Sequence, residues 1–107
     1  MILYRAVSKA ELSDYNQTQQ LRTGHNTIEG KQFFKSREAV NEFISDSIKQ
    51  KYNPPYHSIF EIHIDLACLS NIDYDEQELD TFKAITIREA NLPSFNKCIN
   101  FIDVYDI

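Results

Sequence analysis

The sequence predicts a single α+β domain over residues 1–107. The chain has 107 residues, which is enough for one hydrophobic core and too few for two independent ones. Hydrophobic residues make up 42% and charged residues 25% of it, close to the average of soluble globular proteins. The periodicity of apolar residues indicates the order β-α-β-α followed by further strands, which is typical of the α+β class.

The first strand and helix are predicted from residues 2–20. Residues 2–7 form a short apolar run, which is typical of a strand, and Arg5 lies at its centre. Ser8 is followed three residues later by Glu11, the spacing of a capping box that begins a helix. We therefore predict a helix over residues 9–20.

The second strand and helix follow the only two glycines, Gly24 and Gly30, which predict a shaped loop between them. Residues 31–35 predict a strand, and Ser36 stands at the N-cap position of a helix that we expect to run to about residue 51. Apolar residues recur at helical spacing on one face of this segment: Ala39, Val40, Phe43, Ile44 and Ile48.

Later segments predict three more strands. Pro54 and Pro55 end the second helix, and residues 58–65 alternate with period two, which indicates a strand whose inward residues are Phe60, Ile62 and Ile64. The acidic segment 73–80 is typical of a solvated loop with a turn of helix. Residues 84–87 and 100–107 complete the predicted sheet.

Composition and motifs exclude several classes of function. A net charge of −5 disfavours a surface for long stretches of nucleic-acid backbone. No apolar run approaches the length of a membrane helix, and the N-terminus lacks the pattern of a secretory signal. The sequence contains no phosphate-binding loop, no dinucleotide fingerprint and no serine-hydrolase elbow.

We also predict no metal site. The three histidines and two cysteines have no spacing typical of zinc ligands, and the acidic segment lacks the central glycine and closing glutamate of a calcium loop. Cys68 and Cys98 are too few for a disulfide scaffold, so we expect both to be reduced core residues.

Three polar residues stand in or beside otherwise apolar elements: Arg5, Ser36 and Glu89. A charge among buried neighbours costs free energy unless it is paired or faces a cleft. Each residue also has a structural interpretation. In that interpretation, Arg5 forms a salt bridge, Ser36 caps a helix, and Glu89 is a surface carboxylate.

Two segments resemble a known family. The pattern LYRAVSKAEL at residues 3–12 and the pattern NTIEGKQFFKS at residues 26–36 are similar to C-terminal toxin domains of bacterial polymorphic toxins, including Rhs proteins. That family shows Tyr-Arg near its start, then Asn-x-x-Glu-Gly-Lys-x-Phe, and a Leu-Asp element with a glutamate in the last third. In this sequence, the Leu-Asp element is Leu79-Asp80 and the later glutamate is Glu89.

The resemblance implies an ADP-ribosyltransferase fold, in which two small split sheets with flanking helices surround an NAD cleft. The toxin group it resembles is credited with modifying elongation factor Tu. By position, Arg5 would hold NAD, Ser36 would support its nicotinamide half, and Glu89 would drive the transfer of ADP-ribose. Glu76 and Glu78 lie close enough in sequence to be alternative catalytic carboxylates.

The same resemblance implies further contacts to NAD. Tyr4, Phe33 and Phe34 would hold the flat nicotinamide, with one of the two adjacent phenylalanines in the core and the other in the cleft. The loop between the glycines would wrap the adenosine or diphosphate end. The expected cofactor-binding residues are Tyr4, Arg5, Ala6, His25, Asn26, Thr27, Lys31, Phe33 and Phe34.

The resemblance also predicts biological context, and the sequence leaves alternatives open. The domain would be delivered as part of a larger toxin, act in the cytoplasm of a target cell by blocking growth, and be neutralised by a cognate immunity protein.

One alternative is a small toxin ribonuclease that uses His25, Lys31, Arg22 or a tyrosine. The other is a non-enzymatic immunity or interaction module, with the acidic segment as its contact surface.

Overall fold

The computed structural model describes residues 1–23, 30–79 and 82–107. The strands are β1 Ile2–Ser8, β2 Lys31–Phe34, β3 Tyr56–Ile64, β4 Asp75–Leu79, β5 Phe82–Ile87 and β6 Ile99–Asp106. The helices are α1 Lys9–Thr18, α2 Arg37–Lys49, α3 Leu66–Leu69 and α4 Leu92–Lys97, with a 3₁₀ turn at Glu89–Asn91. The strands form one antiparallel sheet in the order β4-β5-β2-β1-β3-β6, which confirms the α+β class.

The two long helices begin at the predicted caps. Ser8 Oγ accepts a hydrogen bond from the Glu11 N–H at 3.3 Å, and Ser36 Oγ accepts one from the Ala39 N–H at 3.1 Å. Each cap satisfies a donor that the first helical turn leaves without a partner. Among the described residues, no helix combines the length and the apolar composition that spanning a bilayer requires.

The sheet has a narrow junction between β1 and β2. These strands pair at one position, Tyr4 with Phe34, whereas β1 pairs with β3 at seven positions and β2 with β5 at four. Instead of two separate sheets, the described strands therefore form one sheet whose halves, β4-β5-β2 and β1-β3-β6, meet at a single pair.

Helices cover both faces of the sheet. On the first face, α1, α3 and α4 pack on a core that includes Leu3, Val7, Phe33, Phe60, Ile62, Ile64, Ile85, Ile87, Leu69 and Phe95. We call this the α1 face. On the opposite face, the α2 face, the helix α2 packs on Ala6, Phe34, Ile59 and Ala84 through Ala39, Val40 and Ile44. The predicted inward residues of β3 are confirmed, since each is at most 2% exposed. At the two ends of the α2 face, Gln77 on β4 and Phe101 on β6 are exposed, so α2 leaves both ends uncovered.

One expectation about secondary structure was wrong, and two short helices were not predicted. The acidic segment contains the strand β4, which pairs with β5 from Asp75 to Leu79, instead of being a solvated loop. An edge strand tolerates such charges, which protect it from pairing with another chain. The short helices α3 and α4 were missed, because segments of four and six residues are too short to show helical periodicity.

The cysteine prediction was also wrong. Cys68 and Cys98 form a disulfide, with their Cα atoms 5.4 Å apart, although 30 residues separate them in sequence. Pairing of β3 with β6, which sets Ile64 opposite Ile99, brings the two cysteines together at one end of the sheet. The spacing of the two cysteines in the sequence does not show that the fold brings them together.

Candidate functional site

A cleft with a volume of about 750 Å³ lies at the β4–β5 edge of the sheet. Strands β2, β4 and β5 and the turn after β5 line it. Its lining residues are Gly30, Gln32, Asp75, Gln77, Thr86, Arg88, Glu89 and Ala90. We call this the β4–β5 cleft. Its volume is within the range of small-molecule sites.

Strand register places the polar side chains of the cleft in a row. Thr86 is opposite Gln32 on one side and Asp75 on the other, so the three side chains share one face of the sheet. Gln32 Nε2 donates to Gln77 Oε1 at 2.9 Å, and Arg88 Nε pairs with Asp75 Oδ2 at 3.1 Å. The cleft therefore presents organised amide, hydroxyl, guanidinium and carboxylate groups.

Gly30 allows β5 to come close at the start of β2. A Cβ atom built on Gly30 would lie 1.7 Å from the Ile87 carbonyl oxygen, a distance that no side chain can occupy. The backbone contact thus requires glycine at this position. It brings the turn after β5, which carries Glu89, against the beginning of β2.

Glu89 lies between two cavities. Its side chain lines the β4–β5 cleft and also a second cavity of about 340 Å³ beside Arg22 and Asn96. Glu89 is exposed at the start of the 3₁₀ turn, and no described residue forms a hydrogen bond or an ion pair with its carboxylate. The carboxylate is placed where a ligand in the cleft can reach it.

Arg5 forms the salt bridge that its structural interpretation predicted. Its Nε and Nη2 donate to the two carboxylate oxygens of Glu11 at 2.7 and 2.8 Å, and its Nη1 donates to the Gln32 carbonyl oxygen at 2.9 Å. The last bond crosses the narrow junction from β1 to β2. Arg5 therefore ties the two halves of the sheet together on the α1 face.

Lys31 completes a largely buried charge cluster with Arg5 and Glu11. Its Nζ lies 3.2 Å from Glu11 Oε1. Burial would raise the pKa of Glu11, but the hydrogen bonds and charges of Arg5 and Lys31 hold that pKa below its ordinary value. Burial and the charge of Arg5 lower the pKa of Lys31, although Glu11 opposes the shift.

We expect Glu11→Gln to lower the free energy of unfolding by about 2–3 kcal/mol at pH 7. This is below the roughly 3–5 kcal/mol for breaking a fully buried pair, because Arg5 and Glu11 are each 18% exposed and water screens them. The folded-state pKa of Glu11 lies below its ordinary value of 4.5, so this stabilisation is present above about pH 4.5 and is lost as the pH falls through the folded pKa.

Urea unfolding of both proteins at pH 7 and pH 3 measures this effect. The difference between wild type and variant should shrink at pH 3. The matched control is Asp14→Asn, which removes an exposed pair with Arg22 and should cost less than about 1 kcal/mol. A Glu11→Gln variant as stable as the control would contradict the proposed importance of this cluster.

Ser36 and Glu89 lie at opposite ends of β2. Ser36 follows the C-terminal end of this strand as the cap of α2, whereas Glu89 follows Ile87, which pairs with Lys31 at the N-terminal end. Five residues of extended chain separate Lys31 from Ser36, on the order of 15 Å. Arg5 binds Glu11 on the α1 face. The three expected catalytic residues do not share one crevice.

The expected contacts to nicotinamide are largely core residues. Phe33 is 0% and Phe34 2% exposed, on opposite faces of the sheet, so the expectation that one of them lies in the cleft was wrong. Adjacent strand residues do point to opposite faces, but helices cover the sheet on both sides there. Ala6 is buried under α2, and Tyr4 packs against the same cluster. The expected ligands His25, Asn26 and Thr27 lie outside the described residues.

Sequence reasoning missed Gln32, Asp75, Gln77 and Thr86. The alternation in residues 31–35 and 84–87 indicates which side chains share a face, but it does not show that these two strands pair. The sequence therefore indicates on which side of its strand each of Gln32 and Thr86 lies, but it does not indicate that the two residues are neighbours.

The polar groups of the β4–β5 cleft suit a ligand rich in hydroxyl and amide groups. Gln32, Gln77 and Thr86 offer both donors and acceptors, Arg88 offers donors, and Glu89 offers an acceptor. A ribose or a carboxamide is a ligand of this kind. Comparisons of the chain with protein-family models, with curated proteins and with solved structures find no match.

Proposed function

We propose that this chain is an ADP-ribosyltransferase domain that transfers ADP-ribose from NAD to a bacterial protein, and that NAD is cleaved beside Glu89 in the β4–β5 cleft. The observation that carries the proposal is the position of Glu89, an exposed carboxylate beside a row of hydrogen-bonding side chains in a cleft of about 750 Å³. The resemblance of residues 3–12 and 26–36 to toxin domains of this activity is its second support.

The junction between the two halves of the sheet bears on the role of Arg5. The resemblance implies two small sheets around a cleft, whereas this fold has one sheet, and the β4–β5 cleft lies on the half formed by β4, β5 and β2. Arg5 binds the Gln32 carbonyl oxygen across that junction, while the side chain of Gln32 lines the cleft. We assign Arg5 a positioning role, because it fixes the strand that presents Gln32. Ser36 is assigned the role of a helix cap.

The chemistry of the transfer explains the need for a carboxylate. The bond between the ribose C1′ and the nicotinamide nitrogen breaks, and nicotinamide leaves with the bonding electrons. A nucleophile of the acceptor protein then bonds to C1′ and loses its proton. Positive charge develops on the ribose in between, and a carboxylate near the 2′-hydroxyl stabilises it more than it stabilises the ground state. Glu89 is the residue to which we assign this task.

NAD binding tests the proposed location. We expect isothermal titration calorimetry to show saturable binding of NAD by the wild type. Gln32→Ala should weaken it by about 2- to 10-fold, the effect of losing one hydrogen-bonding side chain. The control Gln50→Ala, an exposed glutamine at the end of α2, should bind as the wild type does. Absence of NAD binding, or equal affinities for Gln32→Ala and the wild type, would contradict the proposal.

A non-enzymatic interaction module is the second candidate, and the contacts of Arg5 favour it. Three nitrogens of its guanidinium are bonded within the protein, and the Ser36 hydroxyl is engaged in a helix cap. Such a module should not arrest growth when it is expressed in a bacterial cytoplasm, whereas the proposed toxin should.

A ribonuclease has less support. Lys31 and Arg22, two of its candidate residues, are paired with Glu11 and Asp14. Incubation with cellular RNA in the absence of NAD separates this function from the transferase, because only a ribonuclease would cleave the RNA.

For the transferase we further propose delivery by a larger toxin, a cognate immunity protein as partner, and elongation factor Tu as the first target to test.

A further inference from the structure

A second group of polar side chains lies on the other half of the sheet, where α2 leaves its face uncovered. His63 Nε2 lies 2.9 Å from Glu61 Oε1 and 3.6 Å from Asp103 Oδ2. One ligand atom from each of the three residues lies within 4.8 Å of the other two. This cluster of Glu61, His63 and Asp103 is separate from the β4–β5 cleft.

The β3–β6 ladder creates the cluster. Glu61 and His63 are two residues apart on β3 and therefore share a face, and Asp103 on β6 is directly opposite Glu61. Two carboxylates directly opposite each other in a sheet repel, and the nearby guanidinium of Arg37 offsets part of this repulsion.

Neighbouring side chains hold the cluster in place. The ring of His63 stacks on Phe101, with the centroids 4.0 Å apart and the planes 15° from parallel. Arg37 Nη1 lies 3.8 Å from Glu61 Oε2, so the oxygen that faces His63 is the other one, Oε1. These contacts limit the movement of the imidazole ring and of the Glu61 carboxylate.

We propose that Glu61 Oε1, His63 Nε2 and Asp103 Oδ2 bind one divalent transition-metal ion of the zinc class. Zinc bonds of 2.0–2.2 Å in tetrahedral geometry place neighbouring ligand atoms about 3.3–3.6 Å apart. His63 Nε2 lies 2.9 and 3.6 Å from the two oxygens, which themselves lie within 4.8 Å of each other, so side-chain rotations are needed to bring all three atoms to these separations. An imidazole nitrogen favours zinc over calcium or magnesium, which prefer oxygen ligands alone. Asp103 is half exposed, so the fourth position is open to water or to a partner's side chain.

Titration of the metal-stripped protein with Zn²⁺ at pH 7 tests this site. We expect one bound ion per chain and a rise in the melting temperature, because the ion binds the folded state. His63→Ala and Asp103→Asn should each weaken binding by at least about tenfold. Asp103 lies on an exposed strand face, so Asp103→Asn keeps the test valid if His63→Ala fails to fold.

The matched control is His57→Ala, an exposed histidine near the start of β3 that is not part of the cluster, and it should bind Zn²⁺ as the wild type does. Absence of Zn²⁺ binding by the wild type up to about 1 mM would overturn the proposal. So would affinities unchanged by His63→Ala and Asp103→Asn, or Mg²⁺ binding as strong as Zn²⁺ binding.

Discussion

The double variant Cys68→Ala/Cys98→Ala is expected to lose about 3–4 kcal/mol of unfolding free energy relative to the oxidised wild type. The disulfide closes a loop with a sequence separation of 30 residues, and in the chain-entropy model such a cross-link restricts the unfolded chain by this amount. It ties α3 to the end of α4, beside the buried side chains of Leu69 and Phe95. Alanine avoids placing a serine hydroxyl at the buried position of Cys98.

Urea unfolding with and without a thiol reductant measures this contribution. In reductant, the unfolding free energy of the wild type should fall towards that of the variant. The unfolding free energy of the variant should not depend on the reductant. A wild type that is equally stable under both conditions would show that the bond does not stabilise the fold. Disulfides persist in oxidising environments. On the proposed route, the domain would therefore be more stable during delivery than in a reducing cytoplasm.

The variant Glu89→Gln is expected to lower the rate of ADP-ribosyl transfer by about 10²–10³-fold. Glutamine keeps the size of the side chain but removes the negative charge, and the loss of one group that stabilises developing charge has an effect of this size. Glu89 is exposed, so its substitution should change the unfolding free energy by less than about 0.5 kcal/mol. The initial rate of nicotinamide release with an acceptor lysate measures the change.

Two other carboxylates serve as controls for Glu89→Gln. Glu42→Gln changes an exposed glutamate of α2 and should leave the rate unchanged. Glu76 was an alternative catalytic residue, but its carboxylate pairs with Lys35 Nζ at 2.9 Å in a different, smaller cavity. Glu76→Gln should also retain activity. Loss of activity in Glu76→Gln and its retention in Glu89→Gln would show that the catalytic carboxylate was wrongly assigned.

Local signals in the sequence predicted most of the helices and strands. The caps Ser8 and Ser36 are recognisable because an N-cap acts within three residues of its own position. Strand β3 was recognisable because its inward side chains alternate over a long segment. The strand β4 was missed, because its acidic composition resembles a loop and only its pairing with β5 makes it a strand.

Non-local contacts explain why the site was harder to predict. The Ser8–Glu11 spacing correctly predicted the start of α1, yet the carboxylate of Glu11 binds Arg5 and Lys31. Likewise, Glu89 was proposed from the sequence and lines the β4–β5 cleft, but Gln32 and Thr86 were not predicted to lie beside it, because their proximity depends on the pairing of β2 with β5. Strand pairing and ion-pair geometry are set by the packed fold, which short-range patterns do not encode.

Transfer of label from NAD tagged on its adenine to proteins of a bacterial lysate is the most direct test of the proposed activity. We predict one labelled protein band with the wild type and with Glu42→Gln, and a band weaker by about 10²–10³-fold with Glu89→Gln. No labelled band with the folded wild type, or equal labelling by Glu89→Gln, would contradict the assignment of ADP-ribosyl transfer to this cleft.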